Sequence, residues 1–109
     1  MKVSTLAIAT LLAVSVFGQS SKGDNSAGAG VFQAQCVGCH GPDGRAQTEM
    51  GKKIGAADLT AGAVQQQSDS QLATIVHDGK KKMPSFADKL SSDEIRAVIA
   101  YIRELARKQ

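Results

Sequence analysis

Residues 36–40 read Cys36-Val37-Gly38-Cys39-His40, a stretch that holds both cysteines and one of the two histidines of the chain. Side chains three apart on a helical turn project from the same side, so both thiols face one way and the imidazole of His40 follows directly. Three ordinary uses of such a pair fit poorly. A disulfide between residues three apart closes a tiny loop and restrains little of the unfolded chain. A thioredoxin-like redox pair is expected beside a βαβ pattern, and no stretch of this sequence alternates as a strand does. A structural zinc site draws on paired histidines a few residues apart, whereas His40 and His77 are separated by 37 positions.

The form C-x-x-C-H is instead that of covalent haem attachment. Thiols on one side of a turn each reach a vinyl group on one porphyrin edge, and His40 is then carried under the ring with an imidazole nitrogen for the iron. Chance placement of two cysteines and two histidines yields this register in roughly three chains in ten thousand of this composition. The motif predicts one haem c, held through Cys36, Cys39 and His40.

Outward from the motif, the sequence reads as helices joined by an irregular stretch. A first helix is expected from Ser26 to Cys39, weakened at its start by Gly28 and Gly30. Residues 40–62 contain five glycines and Pro42 and read as a long irregular segment wrapped around something. A helix is expected from Ser70 to Asp78, with Leu72, Ile75 and Val76 on one face and Gly79 as its stop. In the last helix, Ser91 and Glu94 match a capping box and Leu90 and Ile95 a hydrophobic staple. Ile95, Val98, Ile99, Ile102, Leu105 and Ala106 then recur at helical spacing, and Arg103, Arg107 and Lys108 place positive charge where the helix dipole favours it. The fold class is all-α.

Lys2, the apolar run from Val3 to Phe17 and the small Gly18 have the form of a secretory signal peptide over residues 1–18. The run falls short of a spanning helix, and no cysteine near the cleavage region offers a lipid anchor. Residues 19–27 are rich in Ser, Gly and Asn and read as a flexible segment, leaving 28–109 as the folded domain of a soluble, exported, periplasmic chain.

The composition agrees with one small domain: 109 residues, 42% hydrophobic, with a net charge of +3 and no basic stripe of the kind that binds nucleic acid. Beyond residue 18 only 19 large apolar residues and no tryptophan remain. That is a thin core for a domain of this size. A covalently held porphyrin supplies the missing apolar mass.

The second face of the iron has three candidate ligands in Met50, Met83 and His77. Pro84 biases Met83 toward an extended conformation that presents its thioether from a loop. No turn chemistry frames Met50, although chain reach allows it, and His77 at a helix end reads as solvated or hydrogen-bonded.

Together these residues resemble class I cytochrome c of the small bacterial single-haem kind, over about residues 28–106. The likeness is carried by Gly28, Phe32, Cys36, Cys39 and His40, by Gly79 and Met83-Pro84-Ser85-Phe86, and by Val98-Ile99-Ala100-Tyr101-Ile102. It implies about four helices around one haem, with the first and last helices crossing where Gly28 and Phe32 meet the Val98–Tyr101 face. It also implies cofactor binding by Cys36, Cys39, His40 and Met83, with His40 and Met83 as the iron ligands. The family orients its histidine with a backbone carbonyl, often a proline's. Pro42 stands too close to His40, so a carbonyl between Gly44 and Leu59 is expected in its place. Two protein ligands leave no open iron position, which implies an electron carrier rather than an enzyme, with a softer sulfur ligand raising the potential. Lys80, Lys81 and Lys82 are expected to steer the carrier toward an acidic patch on redox partners. The alternative is a haem subunit, or a sensor or peroxidase-like protein with a displaceable distal methionine.

Overall fold

The computed structural model describes residues 2–4, 7, 9–13 and 25–109. Half of the expected leader and most of the flexible segment after it lie outside the described residues. Six helical segments are present among those described: α1 (Ser26–Gln35), α2 (Val37–His40), α3 (Glu49–Ile54), α4 (Gly62–Gln65), α5 (Asp69–Asp78) and α6 (Ser92–Arg107). No strand occurs among them, and the one isolated bridge joins Lys80 to Met83. Two of the six are single turns, which leaves four longer helices, the number the resemblance implies.

The final helix forms as its sequence requires. Ser91 Oγ accepts from the Glu94 N–H, and the Glu94 carboxylate accepts from the Ser91 N–H, closing the capping box. Leu90 and Ile95 are both buried in one cluster, completing the staple. The buried stripe of α6 is Ile95, Val98, Ile99, Ile102 and Leu105. α5 begins one residue earlier than the apolar pattern indicates, because Ser68 and Gln71 form a second capping box.

α1 buries only Gly28 and Phe32. A Cβ built at Gly28 would overlap the Ala97 carbonyl oxygen and lie 2.9 Å from Tyr101 Cβ, so the backbones of α1 and α6 touch at their crossing. One turn on, Phe32 is fully buried against Val98, and its ring meets Tyr101 at a centroid distance of 5.2 Å and a tilt of 52°. The crossing expected from the resemblance is present.

Two expectations need correction. The first helix does not run unbroken to Cys39: Cys36, at φ −118°, separates α1 from α2, and the second turn extends to His40. Residues 40–62 are not wholly irregular, since α3 stands inside them, capped by the Thr48 side chain and ended by Gly55 in the left-handed conformation. Arg103 also has a larger role than charge at a helix end. Its guanidinium donates to the Gln65 carbonyl (3.0 Å), the Gln67 carbonyl (2.6 Å) and Asp69 Oδ1 (2.9 and 3.1 Å), pinning the α4–α5 connection to α6.

The core is divided. One cluster joins Leu72, Val76, Phe86, Leu90, Ile95 and Ile99, with Met83 packed on it. The other joins Phe32, Val98, Ile102 and Leu105, with Cys36, Val37 and Leu59 packed on it. Residues of both clusters border a single cavity of about 350 Å³.

Candidate haem site

The cavity wall brings together Cys36, Cys39 and His40 from the α1–α2 junction, Ile54 from the end of α3, Gly55 to Ala57 and Leu59 from the segment after it, and Lys80 to Pro84 from the loop after α5. Leu72, Ile75, Val76, Phe86, Val98, Ile99 and Ile102 supply its apolar floor. Both cysteines are free thiols and half-buried. Burial, and then the neighbouring Cys39, push the Cys36 thiol up to about 11, so it is a neutral thiol at pH 7. That is the reverse of the low thiol pKa a redox-exchange pair needs.

His40 is held at several points. Its Nδ1–H donates to the Ala57 carbonyl at 2.9 Å, which leaves Nε2 as the nitrogen with a free lone pair. The donor's partner is thus a backbone carbonyl inside the expected window and not a proline's. Its own carbonyl accepts from the Ala46 N–H at 2.7 Å. The segment after Ala57 is tied down in turn, because Asp58 Oδ1 accepts from both the N–H and the hydroxyl of Thr60, at 2.8 and 2.7 Å. The Thr60 hydroxyl is the largest influence that holds the Asp58 carboxyl below its ordinary pKa. A lowered folded value means this tether is present above the ordinary carboxylate range and is lost as pH falls through the folded pKa.

Met83 reaches the cavity on a tight turn. The Lys80 N–H donates to the Met83 carbonyl (3.1 Å) and the Met83 N–H to the Lys80 carbonyl (2.9 Å), with Lys81 at φ +54°. Ser85 Oγ–H donates to the His77 carbonyl (2.6 Å) and the Phe86 N–H to the Val76 carbonyl (3.1 Å), clipping the loop to the last turn of α5. The other two candidate ligands lie outside the cavity lining. Met50 is on α3 and 50% exposed. His77 has a side chain 57% exposed and pairs with Asp78 at 2.6 Å.

The donor set fits a covalently bound haem c. Two free thiols one turn apart, an imidazole whose second nitrogen is already committed, and a half-buried thioether share one apolar cavity. Sequence patterning does not single out Thr48 and Gly51, which touch the carbonyls of the α2 turn. The Thr48-Glu49 start and Gly55 stop of α3 are the available signals, hidden by the density of glycines around them.

Comparison with known proteins agrees. The family described as cytochrome C oxidase, cbb3-type, subunit III matches residues 23–102. The chain is 36% identical to the cytochrome c6 of Limnospira maxima, over 79% of this chain and 98% of that one. It is 33% identical to the cytochrome c6 of Thermosynechococcus vestitus, over 97% of this chain and 92% of that one. The solved structure of the KustC0563 c-type cytochrome superposes with a TM-score of 0.66 at 28% identity, covering 72% of this chain and 95% of that one. Family match, relatives and site chemistry agree that the chain belongs to the small class I c-type cytochromes, electron-transfer proteins that carry a covalently bound haem c.

Proposed function

We propose that the chain is an exported one-electron carrier in which Cys36 and Cys39 would anchor the haem and His40 and Met83 would hold its iron. The observation that carries this reading is the company Met83 keeps: it lines the same cavity as Cys36, Cys39 and His40, and Met50 and His77 do not. Once attached, the haem supplies a one-electron iron couple. The chain's residues do the rest. The Ala57 carbonyl fixes the His40 ring so that Nε2 is the nitrogen that would meet the iron. The Lys80–Met83 turn presents the thioether, and the apolar floor keeps water from the site. Two side chains on the iron would leave a substrate nowhere to bind, which supports a carrier over an enzyme.

Ligation is tested by spectroscopy. Oxidised wild-type protein is expected to show the weak sulfur-to-iron band, Met83→Ala to lose it and to bind carbon monoxide when reduced, and Met50→Ala to keep it. Persistence of the band in Met83→Ala rejects the assignment.

Lys80, Lys81 and Lys82 are exposed and border the cavity. This placement supports their use in steering the carrier to an acidic surface on its redox partner. Replacing all three by glutamine should slow electron transfer several-fold at low ionic strength, with the difference vanishing as salt screens the field. An ionic-strength dependence identical to wild type rejects that role.

Export and a periplasmic location are supported by the leader-like run of residues 1–18. Its described apolar residues Val3, Leu11 and Leu12 are 87%, 92% and 90% exposed and take no part in the core. All six helices lie within residues 26–107, and among the described residues no helix is long and apolar enough to cross a membrane. Mass measurement of the secreted protein checks both cleavage after Gly18 and one attached haem.

A further inference from the structure

We infer that Thr48 is a positioning residue for His40, its hydroxyl tying off the short turn that carries the imidazole. This role rests on the ligation proposed above. α2 is only four residues long, and Gly41, at φ +76° and ψ +162°, turns the chain away from the helix. Pro42 has no N–H to offer the Gly38 carbonyl, and the turn at Gly41 takes the Asp43 N–H away from the Cys39 carbonyl. Thr48 replaces them. Its one hydroxyl hydrogen is shared between the Gly38 carbonyl (2.9 Å) and the Cys39 carbonyl (3.1 Å), while its oxygen accepts from the Gly51 N–H (2.9 Å) as the cap of α3.

The contact is close as well as polar. A Cβ built at Gly51 would overlap the Cys39 carbonyl oxygen, so α3 is pressed directly against the turn. With the Ala46 N–H on the His40 carbonyl and the Ala57 carbonyl on His40 Nδ1, residues 46–57 grip three consecutive carbonyls and the imidazole itself. Thr48 is the one side chain in that grip; the other partners are backbone. It is therefore the point where substitution can loosen the turn without altering the cavity, whose lining it does not join.

The two jobs of Thr48 separate by substitution. Thr48→Val loses both. Thr48→Asp keeps the cap, since aspartate is a preferred N-cap residue, but a carboxylate cannot donate to carbonyls. Thr48→Ser keeps both. The readout is hydrogen exchange of the His40 ring Nδ1–H, followed by NMR in the reduced haem-loaded protein, with the backbone amides of α5 and α6 as reference. Exchange is expected to rise about tenfold in Thr48→Val and Thr48→Asp, to stay within about twofold of wild type in Thr48→Ser, and to leave the α5 and α6 amides unchanged. Wild-type exchange in Thr48→Asp, or acceleration spread equally over α5 and α6, overturns the role. If the oxidised wild-type protein shows no haem-shifted His40 ring signals, the ligation is overturned and this role with it. Clear His40 ligation with no response to Thr48→Val overturns the role alone.

Discussion

Gly28→Ala is expected to destabilise the domain by about 3 kcal/mol or more, a large part of the roughly 5–15 kcal/mol that holds a domain of this kind folded. Helix propensity points the other way, because alanine in a helix interior is favoured over glycine by about 1 kcal/mol. The crossing decides the sign. The added methyl would overlap the Ala97 carbonyl oxygen and stand 2.8 Å from its carbon and 2.9 Å from Tyr101 Cβ. Two of those atoms belong to the backbone of α6 and cannot turn aside, so the helices must separate. Separation opens the contact between Phe32 and Tyr101 and the fully buried seat of Phe32 on Val98, which close-packed interiors do not absorb. Gly30 provides the control within the same helix. It is exposed and nothing lies within 4 Å of the point where a Cβ would stand, so Gly30→Ala is expected to stabilise by up to about 1 kcal/mol. Urea midpoints of the two variants should move in opposite directions; a shared direction would sink the crossing argument.

Gly28 also illustrates what the sequence makes readable. Its role is legible through the resemblance, which pairs it with Phe32 and with the Val98–Tyr101 face. The start of α6 is legible for a more elementary reason, since Ser91, Glu94, Leu90 and Ile95 interact within a single turn. α5 carries the same device in Ser68 and Gln71, but the apolar pattern begins later and draws the boundary inward. α3 escapes notice because its glycines do two different things. Gly55 ends the helix at φ +69°, whereas Gly51 admits the Cys39 carbonyl, and spacing alone does not distinguish a stop from a close approach. The role of Arg103 is beyond reach, since its partners lie 34 to 38 residues away and two connections must be folded before they meet. The carbonyl that orients His40 can be narrowed to a window but not to Ala57, because every residue in that window carries the same acceptor. Composition says more than so coarse a measure usually does. The shortage of large apolar residues appears in the structure as a core split into two clusters around a cavity, not as one loosely filled cluster.

Gly79→Ala is expected to leave the helix crossing intact and to damage the methionine side of the site. Gly79 closes α5 at φ +80° and ψ +168°, a region that essentially only glycine occupies, so any side chain there costs roughly 1–3 kcal/mol in backbone strain. Its Cβ would in addition stand 2.7 Å from the Met83 carbonyl oxygen, 2.8 Å from the Ser85 nitrogen and 2.9 Å from the Pro84 carbonyl carbon. The loop cannot simply swing away, because Ser85 and Phe86 clip it to the carbonyls of His77 and Val76. Either the clips break or the Lys80–Met83 turn deforms, and both move the thioether that the proposed ligation needs. None of the three nearest atoms belongs to α1 or α6, so the lesion stays local. The oxidised variant should therefore lose most of the sulfur-to-iron band, as is expected of Met83→Ala, while its far-ultraviolet circular dichroism remains that of wild type. Gly28→Ala should instead show helical signal and visible band failing together on mild denaturation. A Gly79→Ala protein with a wild-type band and a wild-type urea midpoint would mean that the loop has a second way to present Met83, and the geometric case for Gly79 would fall.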